Sequence, residues 1–244
     1  MKKYLSIFII LVLMSFVNSC AIQTNIIKSM QDAKKSILKI ETWSEFAKCD
    51  VENLACNKSE LLSMASGAVV LYNNKKAILT AAHVCDQKQL ESFVQSRNGE
   101  VLLKAIDRDS KEYIINILKY DHSADICLLK SITGELPSYI KISSKKPEYG
   151  EIVYNLAGPL GVIEGDMVPI YRGQFFGVSD NRAFYSIPAI GGSSGSPILN
   201  IKGELIGMIH SVHYRFHHIT VSATHDQLWN FLKIAQSRTL EFQN

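Results

Sequence analysis

From residue 67 onward the chain is a succession of short apolar runs rich in β-branched and aromatic residues, broken at close intervals by turn residues. This pattern is what most limits the folds open to it. "GAVVLYNNKKAILTAAHVC" (67–85) sets two apolar runs about a polar "NNKK" turn, which is a hairpin signal. "VLLKAIDRDSKEYIINILKY" (101–120) repeats the pattern with "DRDS" as its turn, and "DICLLK", "EIVYNLAG", "YRGQFFGV", "AFYSI", "PILN" and "GELIGMIHSV" follow. Short strands at regular spacing point to a β-sandwich or barrel. The last element differs: "THDQLWNFLKIAQ" (224–236) puts Leu228, Phe231, Leu232 and Ala235 at helical spacing, and Thr224 with Gln227 forms a capping box. At 244 residues and 47% apolar content, the chain has enough core for one sizeable domain or two small ones.

The N-terminal part is organised otherwise. Lys2 and Lys3 precede an apolar stretch from Ile7 to Met14 that continues, past Ser15, to Val17, which is a secretory signal too short for an ordinary membrane span. It ends in "VNSC", similar to the bacterial lipobox, although Asn18 is an unusual choice there. Residues 1–19 are therefore expected to be a lipoprotein-type signal peptide and Cys20 the lipidated N-terminus; a plain signal peptide cut nearby is the alternative. Residues 20–36 read as a tether or short helix, and "ILKIET" (37–42) as a first strand. The stretch 43–64 interrupts, and its Cys49 and Cys56 suggest a pinned insertion loop. Lys and Arg total 26 against 23 Asp and Glu, a net charge of +3 that gives no reason to expect nucleic acid as a partner.

"AIGGSSGSPILN" (189–200) could be a simple loop, since Gly, Ser and Pro between apolar runs mark turns. For one of its serines to do chemistry, the chain must also supply a histidine base and a group that orients it. His83 ends the apolar strand "AILTAAH", and Asp125 opens the apolar run "DICLL", where an acid needs a hydrogen-bonded partner to offset its desolvation. Taken together and in order, "LTAAHVC", "ADICLL" and "GGSSGSP" resemble the chymotrypsin-like serine peptidases, with "PLG" and "GELIGMI" where bacterial trypsin-like members carry similar strings. The resemblance covers roughly residues 37–236.

That resemblance implies an all-β fold of two packed six-stranded antiparallel barrels with a C-terminal helix: barrel 1 over about 37–135, barrel 2 over about 145–223, helix 224–236 and a tail 237–244. It assigns Ser194 as nucleophile, His83 as general base, Asp125 as the orienter of His83, and the N–H groups of Gly192 and Ser194 as the oxyanion hole. Ser193 stands where the family usually has an acid that receives a new N-terminus after zymogen cleavage, so activity without cleavage is expected and other contacts must hold the oxyanion turn. Ser196 is expected to be a packing position. The pocket for the residue before the scissile bond falls on Pro188, Ala189, Ile190 and Ile209, with His210 beside it; none of the first four is charged, which favours apolar side chains, and acidic ones are the rival. His210 also falls beside the triad acid, and reads equally as a partner of Asp125 or as a solvent-facing edge residue.

Other classes fit less well. The α/β-hydrolase elbow needs G-x-S-x-G about the nucleophile, yet Ser194 is followed two residues on by Ser196, and the strands lack alternating helices. A metal hydrolase would draw on His210, His213, His217 and His218, but neighbouring strand residues point to opposite faces and HExxH is absent. No metal and no cofactor is expected. A surface binding module that keeps the fold without turnover is the non-enzymatic alternative. The four cysteines after Cys20 allow three pairings. Cys49 with Cys56 is the pairing expected first; Cys85 with Cys127 is weaker, because the family often turns helical just after the histidine and this would spoil the alternation that aims them together. The expected protein is a monomer at the bacterial cell envelope, held by its N-terminal lipid, acting on protein or peptide, with no downstream peptide-binding domain.

Overall fold

Asn73 and Asn74 make the first hairpin. Both take left-handed φ (51° and 59°), as a two-residue type I′ turn requires, and they join β2 (Ser59–Tyr72) to β3 (Lys75–Thr80). Asp180 and Asn181 (φ 48° and 57°) do the same between β8 (Ile170–Ser179) and β9 (Arg182–Tyr185). The "DRDS" turn between β4 (Gly99–Ile106) and β5 (Glu112–Asp121) is held by Asp107. Its carboxylate accepts from the N–H groups of Asp109 and Lys111 and from the Tyr113 hydroxyl, each at 2.9 Å.

The computed structural model describes residues 23–46, 59–86, 88–95, 99–163, 165 and 167–238. With β1 (Ile37–Phe46) and β6 (Ile126–Ser131), the first six strands close an antiparallel barrel in the order β1-β2-β3-β6-β5-β4. The second barrel adds β7 (Ile152–Leu156), β10 (Pro197–Leu199), β11 (Leu205–His213) and β12 (Phe216–Ala223), and closes as β10-β11-β12-β9-β8-β7. The expected pair of six-stranded barrels is thus the observed fold.

Several local expectations need correction. Of the two readings of the stretch before β1, tether or short helix, residues 23–34 take the second: they form α1, whose Met30 and Ala33 are buried against the first barrel's core. The stretch 43–64 is not all insertion loop. β1 runs on through Phe46 and β2 starts at Ser59, with Trp43 opposite Leu61 beyond a bulge, so a long hairpin flanks a shorter segment. Cys20, Cys49 and Cys56 lie outside the described residues. The strand read as ending at His83 stops at Thr80; a short helix α2 (Ala82–Cys85) and then α3 (Lys88–Gln95) follow. β12 has no counterpart among the runs read from the sequence, because Phe216, His217 and His218 hide its alternation.

One apolar cluster fills the first barrel and continues through Leu156, Leu199, Leu205 and Met208 of the second to Leu228, Phe231 and Leu232 of α4 (His225–Arg238). Each fully buried side chain of this kind is worth about 1.5–3 kcal/mol relative to exposure. The capping box forms: the Thr224 N–H donates to Gln227 Oε1 (2.8 Å) and the Gln227 N–H to Thr224 Oγ1 (3.2 Å). Lys119 Nζ of β5 donates to the Phe231 carbonyl at 2.6 Å, so a helix that follows the second barrel is fastened to the first.

Candidate active site

β3 and β6 are paired neighbours, with Thr80 opposite Cys127. His83 comes three residues after Thr80 and Asp125 two before Cys127, so the two side chains emerge at the same end of adjacent strands. The Asp125 carboxylate takes two hydrogen bonds from one residue: Oδ1 accepts from the His83 backbone N–H (2.9 Å) and Oδ2 faces His83 Nδ1 (2.8 Å). Asp125 itself has φ 52°, at the end of a turn in which Asp121 Oδ1 accepts from Ser123 N–H (2.8 Å), Ser123 Oγ (2.7 Å) and Ala124 N–H (3.3 Å). Two residues beyond His83 and Asp125, a disulfide joins Cys85 of α2 to Cys127 of β6. This is the pairing the sequence favoured less, and the short helix does not prevent it, because one helical turn still brings Cys85 over β6.

Burial alone would raise the Asp125 pKa. The side-chain and backbone hydrogen bonds from His83, with the nearby His83 and His210 rings, outweigh it and hold the carboxyl below the ordinary aspartate value. A carboxylate facing Nδ1 also fixes the proton on that nitrogen, leaving Nε2 as the acceptor. Neither Nε2 nor Ser194 Oγ has a hydrogen-bond partner among the described residues.

His210 settles between its two readings. The β11–β12 register slips between Ile209 and Ser211, which makes His210 the extra residue of a β-bulge. Its side chain is 11% exposed and its Nδ1 lies 3.7 Å from Asp125 Oδ2, too far for a hydrogen bond but close enough to feel the charge. Burial pulls the His210 pKa down, against the attraction of Asp125 and with added repulsion from Arg182 and His83. His213 instead stacks on Tyr214 at 5.0 Å. Among the described residues no group of three or more His, Cys, Asp or Glu is arranged to hold a metal.

The serine-bearing turn is built from backbone. The Ser194 carbonyl accepts from Ser66 N–H (2.8 Å) of β2, and Gly195 N–H donates to the Ile209 carbonyl (2.7 Å) of β11, so the turn lies between the barrels. Gly195 has φ +85°, and a Cβ there would run into Ser66 O and Thr80 Oγ1. Gly192 has φ +88°, and its Cβ would stand 2.5 Å from Leu160 N. The N–H groups of Gly192 and Ser194 are given to no acceptor among the described residues. Ser193 is buried and its Oγ accepts from Ile190 N–H at 3.4 Å. Ser196 is fully buried, receiving a hydrogen bond from Asn155 Nδ2 (2.9 Å), which agrees with a packing role.

The expected pocket residues are only partly brought together. Ala189 and Ile209 belong to one buried cluster with Tyr185, Ile187 and, at its edge, Val212; Pro188 is half-buried. Ile190 is 57% exposed and forms no wall with them. The cavity beside His83, about 440 Å³, is polar and includes Asp86, His122, Asp125, Arg182 and His210. Asp86 and His122 face each other at 3.1 Å across its rim. "DHSADICLL" held the signal for His122, but the loop letters alone gave it no partner.

These three segments fall inside the part of the chain, residues 65–208, that matches the sequence profile of the trypsin-like peptidase domain. A curated relative, Serine protease HTRA1 of Xenopus tropicalis, is 30% identical over 153 residues, 59% of this chain and 31% of that protein, so the chain spans less than a third of the relative's length. The crystal structure of the serine endoprotease from Yersinia pestis shares the fold at a TM-score of 0.63 and 15% identity, over 84% of this chain and 64% of that one. With more than half of its length matched, the chain belongs to the trypsin-like peptidase domain family.

Proposed function

We propose that the protein is a serine endopeptidase that hydrolyses peptide bonds through an acyl-enzyme on Ser194. The observation that carries this reading is the doubly hydrogen-bonded Asp125–His83 pair, poised in the same interbarrel region as a turn whose Gly192 and Ser194 N–H groups are unspent. In the proposed cycle Ser194 Oγ attacks the scissile carbonyl while His83 Nε2 takes its proton. The oxyanion that forms accepts from Gly192 N–H and Ser194 N–H, an interaction worth about 2.7–4 kcal/mol per donor. His83 returns the proton to the leaving amine; a water then attacks the acyl-enzyme, giving its proton to His83, and the second collapse releases the acid and restores Ser194. Asp125 keeps the imidazole in the required tautomer and offsets its charge while it is protonated.

The substrate implied by the family is protein. Cleavage after apolar residues is proposed, because Pro188, Ala189 and Ile209 bring no carboxylate to a buried lysine or arginine, whose desolvation would cost several kcal/mol. Export and acylation at Cys20 are proposed on Lys2, Lys3, the apolar run and "VNSC". Labelling with diisopropyl fluorophosphate tests the chemistry. Wild type, Ser193→Ala and Ser196→Ala should label and Ser194→Ala should not. A folded wild type that fails to label would leave a binding module; labelling retained by Ser194→Ala would move the nucleophile elsewhere.

A further inference from the structure

Ser193 leaves the turn without the acid that an ion pair to a new N-terminus would need, yet Gly192 is held at a left-handed φ of +88°. Ser66 of β2 stands where that conformation is fixed. It is fully buried, and each of its polar atoms is engaged. Its Oγ donates to the Gly192 carbonyl at 2.8 Å and accepts from the Gly158 N–H at 3.0 Å. Its N–H donates to the Ser194 carbonyl (2.8 Å), and its carbonyl accepts from Thr80 Oγ1 (2.8 Å).

The peptide that matters is the one between Gly191 and Gly192, because it carries the Gly192 N–H. In a trans peptide the C=O and the following N–H point in opposite directions. The Gly191 carbonyl accepts from Leu160 N–H at 3.0 Å, so the Gly192 N–H is turned away from Leu160. Leu160 is two residues from Gly158, and Gly158 is bound to the Ser66 hydroxyl. One hydroxyl therefore grips the next carbonyl along, at Gly192, and also the segment that orients the carbonyl before it. Glycine at 192 is free to flip this peptide, so the contacts on either side are what choose its direction.

We infer that Ser66 is a positioning residue for the oxyanion hole, standing in from the opposite barrel for the absent acid-to-N-terminus ion pair. This rests on the peptidase reading above. Ser66→Ala removes the hydroxyl and adds no bulk, and Ser66→Thr keeps it. Losing one oxyanion donor typically lowers kcat by about 10²–10³; for Ser66→Ala, where the donor is misdirected part of the time, a fall of at least about 10-fold in kcat per titrated active site is expected, with KM within about threefold and partial rescue in Ser66→Thr. Amide hydrogen exchange is measured in parallel with Ser194→Ala as background. Adding Ser66→Ala should speed exchange across residues 190–196 while strand β6 stays protected. An unchanged kcat, or exchange in 190–196 no faster than before, overturns the role of Ser66. Faster exchange in a protein whose wild type never labels leaves the clamp standing and removes the peptidase reading instead. Loss of protection in β6 as well would show a general structural residue and also overturn the inference.

Discussion

The two barrels hold their halves of the site by different means. In the first, histidine and acid follow and precede adjacent strands, share two hydrogen bonds, and are backed by a disulfide two residues further along each segment. In the second, the serine turn has neither a charged side chain nor a cross-link of its own; glycine backbone and hydrogen bonds reaching to β2 and β11 set its course. Proton transfer needs two side chains at fixed distance, which one sheet can supply. An oxyanion hole needs backbone amides held at an unusual φ, which requires glycines and a surface to press them against. The difference teaches that the first half can be weakened through side chains, whereas the second is sensitive mainly to what it leans on.

The largest effect should come from breaking the first barrel's pair. Asp125→Asn keeps the shape but presents the wrong group to His83 Nδ1, and kcat should drop on the order of 10⁴-fold with little change in KM, as measured on a peptide substrate. Because the Asp125 pKa is lowered in the folded state, its carboxylate adds stability at pH values above the ordinary aspartate value of 3.8, and that increment is lost as pH falls below it. The gap in denaturation midpoint between wild type and Asp125→Asn should therefore narrow as pH falls below about 4. A gap that widens in acid would contradict the direction of the shift.

Next in size is the cross-link. Replacing Cys85 and Cys127 with serine should cost about 2–4 kcal/mol in urea unfolding, since their bond closes a 42-residue separation in the unfolded chain. Fluorophosphonate labelling of the remaining folded protein should persist, because the two hydrogen bonds stay; its loss would mean that the covalent bond, rather than the carboxylate, holds the base. The smallest effect belongs to the second barrel. Ser193→Ala removes only a 3.4 Å acceptor for Ile190 N–H and should cost about 1 kcal/mol or less, with kcat within a few-fold of wild type. A collapse of activity there would show that the turn depends on its own side chains after all, and the contrast between the barrels would disappear.

What the sequence made legible was local. "NNKK" and "DRDS" announced hairpins because the turn residues and the flanking alternation act within a few positions, and Thr224 with Gln227 marked the start of α4 for the same reason. α2 and α3 went unread because four and eight residues give too little of a 3.6-residue period to stand out from strand alternation. His210 was legible as a neighbour of Asp125 but not as a bulge residue, since a register slip is a property of two strands. Ser66 in "SMASGAVV" carried no signal at all: its partner Gly192 is 126 residues away, and nothing in its neighbours records that contact.

That separation has a meaning in time as well as in space. A folding chain must close a loop of 42 residues to form the His83–Asp125 pair, whereas the contact from Ser66 to Gly192 must close one of 126. Contacts this far apart wait for both sheets to collapse before they can form, and they make folding slow. On the proposed peptidase reading, a half-folded copy holds an acid and a base with nothing to activate. The turn that carries Ser194 therefore takes its shape only once both barrels are in place to hold it.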